Sequence, residues 1–487
     1  MITVGHADFI RIAPEIVLSA FAILLMLLEP AVPRERKKAL GWLAIAGVVA
    51  AGLSSIWAFH SSGLAFSSSI SSDPYSLYFI DLFLTIAVLV LLGSMDYLER
   101  DAVDHGEFYA LVLMATVGAC FMAASTDLIM IFIGLEISSI STYILAGYRR
   151  GELQSNESSI KYFLLGSFAT AFFLYGVAFV YGLTGSTNLL KVQDHLRSLE
   201  TADPPQLLWL AVVLMFVGLA FKVSTAPFQV WTPDVYQGAP APVTAYLSTA
   251  PKAAAFAVLV RIVIGSFAHA GAAGPIIFWI LWVSAVLTMC VGNLAAIWQS
   301  NVKRLLAYSS IAHAGYILVA ITAGGVEGTS AVLFYLAGYA LMNVGAFILI
   351  AHLAGPEERR TEVSDFTGFA AARPGAAACL TVFLLSLAGF PSTVGFFAKF
   401  YVFRAAMHAH LTGLTIIAVL NSVVSVYYYL RVVVAMYMGE GQTEASTAPL
   451  PGPLGVAVVL SLIGIFFLGL FPSRLLNPLI SIHLPWF

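Results

Sequence analysis

The sequence predicts an all-α integral membrane protein with about fourteen transmembrane helices. Of its 487 residues, 60% are hydrophobic and only 10% are charged, and the mean hydropathy is +0.91. A soluble fold of this length cannot hide so much apolar surface, which makes a bilayer the implied solvent. The apolar runs are too long and alternate too little for a transmembrane β-barrel.

The apolar runs divide into segments near the ~20 residues that a membrane-spanning helix needs. The predicted spans, numbered 1 to 14 in chain order, are 12–30, 40–60, 76–96, 107–125, 127–147, 158–183, 207–226, 241–265, 275–297, 302–323, 329–354, 375–404, 411–438 and 452–471. Short connections leave no room for a soluble domain. Met1–Asp8 has no basic cluster, so the first run is predicted to be a span and not a cleavable signal.

Lysine and arginine are shared unevenly between the two ends of the predicted bundle. The connections from odd- to even-numbered spans and their flanks hold Arg34, Arg36, Lys37, Lys38, Arg100, Arg149, Arg150, Lys161, Lys303, Arg304, Arg359, Arg360, Arg373 and Arg431. The other end holds Arg11, Lys191, Arg197, Arg261, Arg404 and Arg474. The richer end is expected in the cytoplasm. Both termini are then expected on the outer side.

Four pairs of short segments recur in the same order, roughly 170 residues apart. They are LAFKVSTAPF (219–228) with LAGFPSTVGF (387–396), PKAAAFAVLVR (251–261) with NSVVSVYYYLR (421–431), SSISTYIL (138–145) with SSIAHAGYIL (309–318), and YFLLG (162–166) with FYLAG (334–338). A shared spacing predicts a duplicated unit, spans 4–8 and spans 9–13. Because each unit has an odd number of spans, the second copy must be inverted, an architecture used by transporters.

The repeat divides the chain into four predicted parts. These are N-terminal helices 1–106, a first repeat 107–265, a second repeat 275–438, and a C-terminal helix with its tail 452–487. In transporters with inverted repeats, the transport path lies at the interface between the two copies.

Four charged residues lie well inside predicted spans: Glu136, Lys222, Lys252 and Lys399. A charge at the centre of a span costs ~2.5–3.5 kcal/mol or more, so each is expected to face protein or water. We expect Glu136 to lie near Lys222 and to stabilise its charge, while Lys252 would favour release of the Lys222 proton. The alternative is that these residues form fixed ion pairs between helices, although buried pairs are poor stabilisers.

Prolines accompany the three lysines. Pro227 and Pro251 cannot donate to the carbonyls of Val223 and Leu247, and Pro391 precedes Lys399 by eight residues. The helices should break at these points and leave carbonyls that need water or another donor. Lysines beside hydrated helix breaks suit proton exchange.

Other candidates are less specific. His313 in span 10 lies near the place that Glu136 holds in the first copy, and it is either a proton carrier or a packed, hydrogen-bonded histidine. Glu15 and Glu29 flank span 1 and are expected near the headgroups. Tyr427–Tyr429 are expected to serve in packing.

Several classes of site are not predicted. Cys120, Cys290 and Cys379 are isolated in apolar segments, which argues against disulfides, zinc and iron–sulfur ligation. Neither GxGxxG nor GxxxxGK[ST] occurs, so no nucleotide site is expected.

FKVSTAPFQVWTPDVYQGAPAPVTAYLSTAPKAAAF (221–256) resembles the signature of the antiporter-like membrane subunits of respiratory complex I and their cation/proton antiporter relatives. APEIVLSAFAILLMLLEP (13–30) and LEISSISTYILAGY (135–148) resemble the subunit N branch of bacterial NADH-quinone oxidoreductase in particular. NVKRLLAYSSIAHAGYIL (301–318) and LLSLAGFPSTVGFFAKFYVF (384–403) are also typical of the family. The resemblance covers nearly the whole chain.

The resemblance implies fourteen helices, two inverted five-helix repeats and broken helices seven and twelve. It implies proton transport driven by quinone reduction elsewhere in the complex, with Glu136, Lys222, Lys252 and Lys399 at the family's key positions. Lys399 speaks against subunit M, where a glutamate is typical. Flavin, iron–sulfur clusters, NADH and quinone are expected in other subunits and no cofactor in this chain. The expected partners are membrane-arm subunits M, K, J, A and H in a bacterial inner membrane. A subunit of a multisubunit sodium/proton antiporter is the alternative.

Overall fold

Fourteen membrane spans make up nearly all of the described chain. The computed structural model describes residues 5–33, 36–103, 105–198, 206–267, 273–439 and 443–482. Among these residues, thirteen helical segments are long and apolar enough to cross a membrane. The remaining predicted span, span 12, is present as two shorter helices. The predicted helical membrane fold is therefore confirmed. Arg34 and the outermost ends of the first and last predicted parts lie outside the described residues.

The helices match the predicted spans closely. Spans 1 to 6 are Ala13–Leu28, Lys38–His60, Pro74–Arg100, Gly106–Ala124, Leu128–Ala146 and Leu153–Thr184. Span 7 is Gln206–Val223, and span 8 comprises Ala241–Leu247, Ala250–Val260 and a π-helical end, Arg261–Phe267. Spans 9 to 14 are Ala273–Ile297, Val302–Ala323, Gly325–Leu353, the pair Pro374–Ala388 and Val394–His408, Thr412–Met438, and Gly452–Leu470.

Short elements connect or flank the spans. The α-helices are His6–Arg11, Leu189–Ser198, Thr232–Gly238, Phe369–Ala372 and Ser473–Ile480. The 3-10 turns are Glu29–Ala31, Pro356–Glu358 and Val363–Phe366. Strands Gly63–Ala65 and Ile70–Ser72 form an antiparallel hairpin in which Leu64 pairs with Ser71.

Local sequence signals set several helix ends. Asp73 and Asp127 cap spans 3 and 5 by accepting hydrogen bonds from Ser76 N (2.6 Å) and Ile129 N (2.9 Å). Asn301 caps span 10 in the same way. Span 6 ends at Gly185, whose φ of +70° favours glycine.

The first two spans of each repeat pack through equivalent glycines. A Cβ on Gly118 would lie 2.4 Å from Ser138 N, and one on Gly292 would lie 2.5 Å from Ala312 N. Gly118 and Gly292 are 174 positions apart, as are Ser138 and Ala312. The same backbone contact therefore occurs in both copies, and it allows only glycine in span 4 and span 9.

The breaks in spans 7 and 12 are also equivalent. Ser224 and Ser392, which the sequence comparison aligned, both take left-handed backbone conformations, with φ of +62° and +67°. Each follows a half-helix, which ends at Val223 in span 7 and at Ala388 in span 12. The predicted broken helices are confirmed.

Contacts between loops show which connections share an end of the bundle. Arg149 Nη2 donates to Glu357 O over 2.9 Å, and Lys303 Nζ donates to Ala239 O over 2.7 Å. All these residues lie at or beside odd-to-even connections, at the end that we call the basic end. At the opposite end, Asn188 Nδ2 donates to Ser68 O over 2.6 Å. These contacts therefore agree with the prediction that successive spans run in opposite directions through the bundle.

Candidate functional site

Lys222 lies in the last turn of span 7, directly before the break, and is 4% exposed. Its ammonium group is 3.5 Å from the Tyr162 hydroxyl, and it lies 5.1 Å and 5.3 Å from the ring centroids of Tyr162 and Tyr143. Aromatic faces and the carbonyl end of a helix both favour a positive charge. The site therefore accommodates a buried ammonium without a directly bound carboxylate.

The helix break beside Lys222 is closed by an aromatic side chain. Trp231 Nε1 donates to the Phe221 carbonyl over 2.9 Å. Its indole stacks on Tyr162 at 4.5 Å between ring centroids, with an angle of 9°. The tryptophan thus adds a second donor to the Phe221 carbonyl, which also accepts from Ser224 N over 3.1 Å, and it holds Tyr162 against Lys222.

Glu136 lies at the middle of span 5 and is half-buried. Among the described residues, neither of its carboxylate oxygens has a hydrogen-bond partner, and Oε1 is fully buried. In the described part of the chain, no ion pair within 4.0 Å joins Glu136 to Lys222, and Glu136 acts on Lys222 only through space.

Lys252 follows the break in span 8 and is 3% exposed. Its ammonium group donates to Ser310 Oγ over 2.6 Å and lies 5.6 Å from the ring centroid of Tyr236. The Leu247 carbonyl, which Pro251 leaves without its helical partner, accepts from the Tyr236 hydroxyl over 3.3 Å. Lys252 of the first repeat therefore contacts the second repeat directly.

His313 lies within a cluster of tyrosines. Its Nδ1 is 2.5 Å from the Tyr335 hydroxyl, and its Nε2 is 3.1 Å from the Tyr429 hydroxyl. The Tyr429 hydroxyl also bonds to Ser309. Both ring nitrogens are thus hydrogen-bonded to groups that donate and accept, which suits proton transfer as well as it suits a packed histidine.

Lys399 bridges the break in span 12. Its ammonium group donates to the Ala388 carbonyl over 2.8 Å and to Ser422 Oγ over 3.0 Å. It also lies 5.2 Å from the ring centroid of Tyr316. Ala388 ends the first half-helix, so Lys399 stabilises the same kind of carbonyl end as Lys222 does.

The predicted site residues form one buried series across both repeats. From Lys222 it passes Tyr162 and Trp231 to Tyr236, whose ring lies 6.1 Å from the indole. Lys252 then leads to Ser310, and His313 lies one turn further along span 10. The His313 ring lies 5.9 Å from that of Tyr316 between centroids, and Tyr316 is the ring that the Lys399 ammonium faces. Glu136 lies at the start of this series, and Lys399 lies at its end.

Sequence reasoning missed several members of the series. Ser310 and Tyr162 carry no charge, so the search for buried charges passed over them, although Ser310 occupies the position 174 residues after Glu136. Tyr429 was expected only to pack, but it bonds to His313. Glu15 was expected only to flank span 1 near the headgroups, but its side chain is 1% exposed and thus buried within the protein.

A polar cluster at the basic end lies close to Tyr162 and Trp231 in sequence. Asp234 accepts from Lys161 and from Arg304, each over 2.7 Å, and it lines a pocket of about 140 Å³ with Ser158. Partial burial raises the pKa of Asp234, but hydrogen bonds and charges from Lys161 and Arg304 outweigh it, so the pKa lies below its usual value. The pocket is therefore lined by an ionised carboxylate near neutral pH.

Side chains of the types that bind metal ions occur throughout the described ranges. Within them, no group of three or more histidine, cysteine, aspartate or glutamate side chains is arranged to hold a metal ion.

The comparisons with known proteins agree with this geometry. A family model described as NADH:quinone oxidoreductase/Mrp antiporter, transmembrane, matches residues 125–425. The chain is 49% identical over 473 residues to NADH-quinone oxidoreductase subunit N 1 of Solibacter usitatus, with 96% of each chain covered. It is 35% identical to a chain of respiratory complex I from Thermus thermophilus with bound aureothin, with a TM-score of 0.81, covering 95% of this chain and 98% of that one.

A third similarity concerns the fold alone. A chain of the Mrp complex from Dietzia superimposes with a TM-score of 0.82 at 21% identity, covering 97% of this chain and 96% of that one. The family model and the subunit N relative carry the assignment. The chain belongs to the NADH:quinone oxidoreductase/Mrp antiporter family, and within it to the subunit N proteins of NADH-quinone oxidoreductase.

Proposed function

We propose that this chain is a proton-translocating subunit in the membrane arm of an NADH-quinone oxidoreductase. The observation that carries the proposal is the buried series from Lys222 through Lys252 to Lys399, which joins two repeats with broken helices. Buried charges in membrane helices are costly and usually mark ion or proton pathways. The chain matches a subunit N relative over nearly its whole length, and we therefore assign the pathway to an NADH-quinone oxidoreductase.

Proton transfer along the series alternates between lysines and hydroxyl groups. Lys222 gives its proton to the Tyr162 hydroxyl, which passes one on towards Lys252. Water bridges the steps that lack a direct hydrogen bond. Lys252 passes its proton to the Ser310 hydroxyl, which gives its own proton onward to His313. Two positive charges in this low-dielectric region repel each other, so a proton that reaches one lysine favours release from the next.

Glu136 is proposed to control Lys222. An ionised Glu136 stabilises the Lys222 ammonium through space, and a neutral one withdraws that stabilisation. The Glu136 carboxylate is half-buried at the middle of a span and has no partner in the described chain. A neighbouring membrane subunit should therefore cover this face, and a charge change there would be felt at Lys222.

The proposal also covers the orientation of the chain in the membrane and its partner subunits. The basic end is proposed to face the cytoplasm and both termini the periplasm of a bacterial inner membrane. Subunits M and K are the proposed neighbours, with J, A and H further along the membrane arm. Flavin, iron–sulfur clusters and the quinone site are proposed to lie in partner subunits.

A sodium/proton antiporter subunit is the second candidate, because the matching family model includes Mrp antiporters. Purification in mild detergent with natural partners distinguishes the two. Co-purifying flavin and iron–sulfur absorbance, with NADH-driven proton pumping after reconstitution, supports the oxidoreductase. A colourless assembly with sodium-dependent proton flux would overturn it.

A further inference from the structure

A second buried carboxyl group lies outside the series described above. Glu15, in the first turn of span 1, is 1% exposed. Neither carboxylate oxygen accepts a hydrogen bond from another residue in the described chain, and no described basic side chain forms an ion pair with it. Burying a carboxyl group without partners is costly, so such a group in a native protein requires an explanation.

Among the described residues around Glu15, no basic side chain is directed to it. Span 1 packs against spans 2 and 4. Arg11, four residues earlier, directs its guanidinium to Asp8, Ser61 O and Leu64 O. On span 4, the buried Cys120 thiol lies within electrostatic range of both Glu15 and Asp81, and Asp81 of span 3 accepts from Ser55 over 3.0 Å. A structural ion pair therefore does not account for Glu15.

A hydrogen bond between spans 4 and 8 lies in the same part of the bundle. Thr116 lies one turn from Cys120 on span 4 and is 3.1 Å from the Tyr246 hydroxyl. Because Thr116 already donates to Val112 O over 2.8 Å, Tyr246 is the donor in their bond. Tyr246 is within electrostatic range of both Cys120 and Tyr162. Tyr162 is the residue whose hydroxyl lies 3.5 Å from the Lys222 ammonium.

We propose that Glu15 is a proton-binding site that exchanges protons with Lys222 through Thr116, Tyr246 and Tyr162. In one transfer, the Lys222 ammonium loses a proton and the Glu15 carboxylate gains one. Each intervening hydroxyl receives one proton and passes one on, with water bridging the gaps. The inference rests on the proposed function, and it adds a branch leading to the end of the bundle opposite the basic end.

The test uses the complete purified complex with Glu15→Gln, which keeps the shape of the side chain but cannot bind a proton in the same way. Infrared difference spectra between two pH values, in H₂O and D₂O, report carboxyl protonation directly. We expect a carboxyl band that is absent in Glu15→Gln and unchanged in Glu29→Gln. Glu29 is the matched control because it lies at the other end of span 1 and pairs with Lys37.

Proton pumping by the same complexes in vesicles provides the second measurement. We expect a several-fold loss in Glu15→Gln and Thr116→Val, with recovery in Thr116→Ser, which restores the hydroxyl. Identical spectra and pumping in Glu15→Gln and the wild type would overturn the inference. Lys222→Ala in the same series separates the two proposals. If it pumps normally, the proposed function fails, and if it alone is defective, only the Glu15 branch fails.

Discussion

Lys252 of the first repeat donates to Ser310 of the second repeat over 2.6 Å, and Ser310 is the counterpart of Glu136. Glu136 and Ser310 are 174 positions apart, the same separation as that of the glycines Gly118 and Gly292. The second repeat thus has a neutral hydroxyl where the first has a carboxylate. A carboxylate at this place would hold Lys252 permanently charged, whereas a hydroxyl can accept its proton and pass one on.

Ser310→Ala should slow NADH-driven proton pumping by about tenfold or more, because a positioned proton-transfer group typically contributes ~10²–10⁴-fold. Lys252 would lose its only direct hydrogen-bond partner among the described side chains. Ser310→Thr should retain most activity because it keeps the hydroxyl. Ser167→Ala, on the exposed face of span 6, is the matched control. Equal pumping in Ser310→Ala and Ser167→Ala would show that this contact is structural.

Lys222→Ala and Glu136→Ala should each reduce proton pumping and quinone reduction together, by about tenfold or more. The two activities fall together because electron transfer in a coupled enzyme cannot proceed while its proton steps are blocked. Reconstituted vesicles with a pH-sensitive dye, and quinone reduction in the same vesicles, measure both. Lys191→Ala, on an exposed position of helix Leu189–Ser198, should behave as the wild type. Normal pumping in a fully assembled Lys222→Ala complex contradicts the proposed pathway.

Tyr162→Phe should impair transfer while leaving the structure intact. The phenyl ring keeps the stacking with Trp231 and the contact with the Lys222 ammonium, but the hydroxyl 3.5 Å from Nζ is lost. We expect pumping to fall by about tenfold, with unchanged assembly and thermal stability. Tyr175→Phe, an exposed tyrosine on the same helix, provides the comparison. A loss of stability without a specific loss of pumping would assign Tyr162 to packing.

The spans, the helix breaks and the buried charges could be predicted from the sequence, because they follow from the cost of moving side chains from water into hydrocarbon. The apolar runs predicted the spans. The prolines near buried lysines predicted the breaks, which the structure has after Val223, Leu247 and Ala388. The charges inside predicted spans identified the candidate site residues Glu136, Lys222, Lys252 and Lys399, because placing a charge in hydrocarbon is costly at any position. These signals are local and need no knowledge of neighbouring helices.

Contacts that depend on helix packing were not predictable. Glu15 stands three residues after Ile12 at the edge of an apolar run, so its sequence position suggests the headgroup region. Its burial follows from packing against spans 2 and 4, which no local pattern encodes. Tyr429 is similar: its sequence neighbours Tyr427 and Tyr428 suggest packing, and only the approach of span 10 brings it to His313.

His313→Gln separates a proton carrier from a packed histidine. Glutamine can donate and accept hydrogen bonds with Tyr335 and Tyr429, but it does not titrate near neutral pH. If His313 carries protons, His313→Gln should assemble normally and pump several-fold more slowly. His313→Ala should also lose stability because the buried Tyr335 hydroxyl loses its hydrogen bond to the histidine and the Tyr429 hydroxyl keeps only its bond to Ser309. Full pumping in His313→Gln, with a defect only in His313→Ala, assigns the histidine to packing.

Glu358→Gln should destabilise the basic end by ~3–5 kcal/mol, because it leaves the buried Lys303 ammonium without its counter-charge. Glu358 accepts from Lys303 over 2.5 Å and from Ala241 N over 2.6 Å, and both charged side chains are nearly inaccessible to solvent. Thermal unfolding of the purified complex measures the loss. Glu357→Gln is the matched control, since Glu357 is exposed and pairs only with exposed Arg359 among the described residues.

The pH dependence of that stability follows from the pKa of Glu358. Burial raises this pKa, but the charge and hydrogen bond of Lys303 outweigh burial, so the net pKa lies below the ordinary value of 4.5. A lowered pKa means that the ionised carboxylate stabilises the folded state fully above pH 4.5 and progressively less as the pH falls through the lowered value. The stability difference between the wild type and Glu358→Gln should therefore be constant near neutral pH and shrink in acid. A difference that grows on acidification would show that the pair does not stabilise the fold in this way.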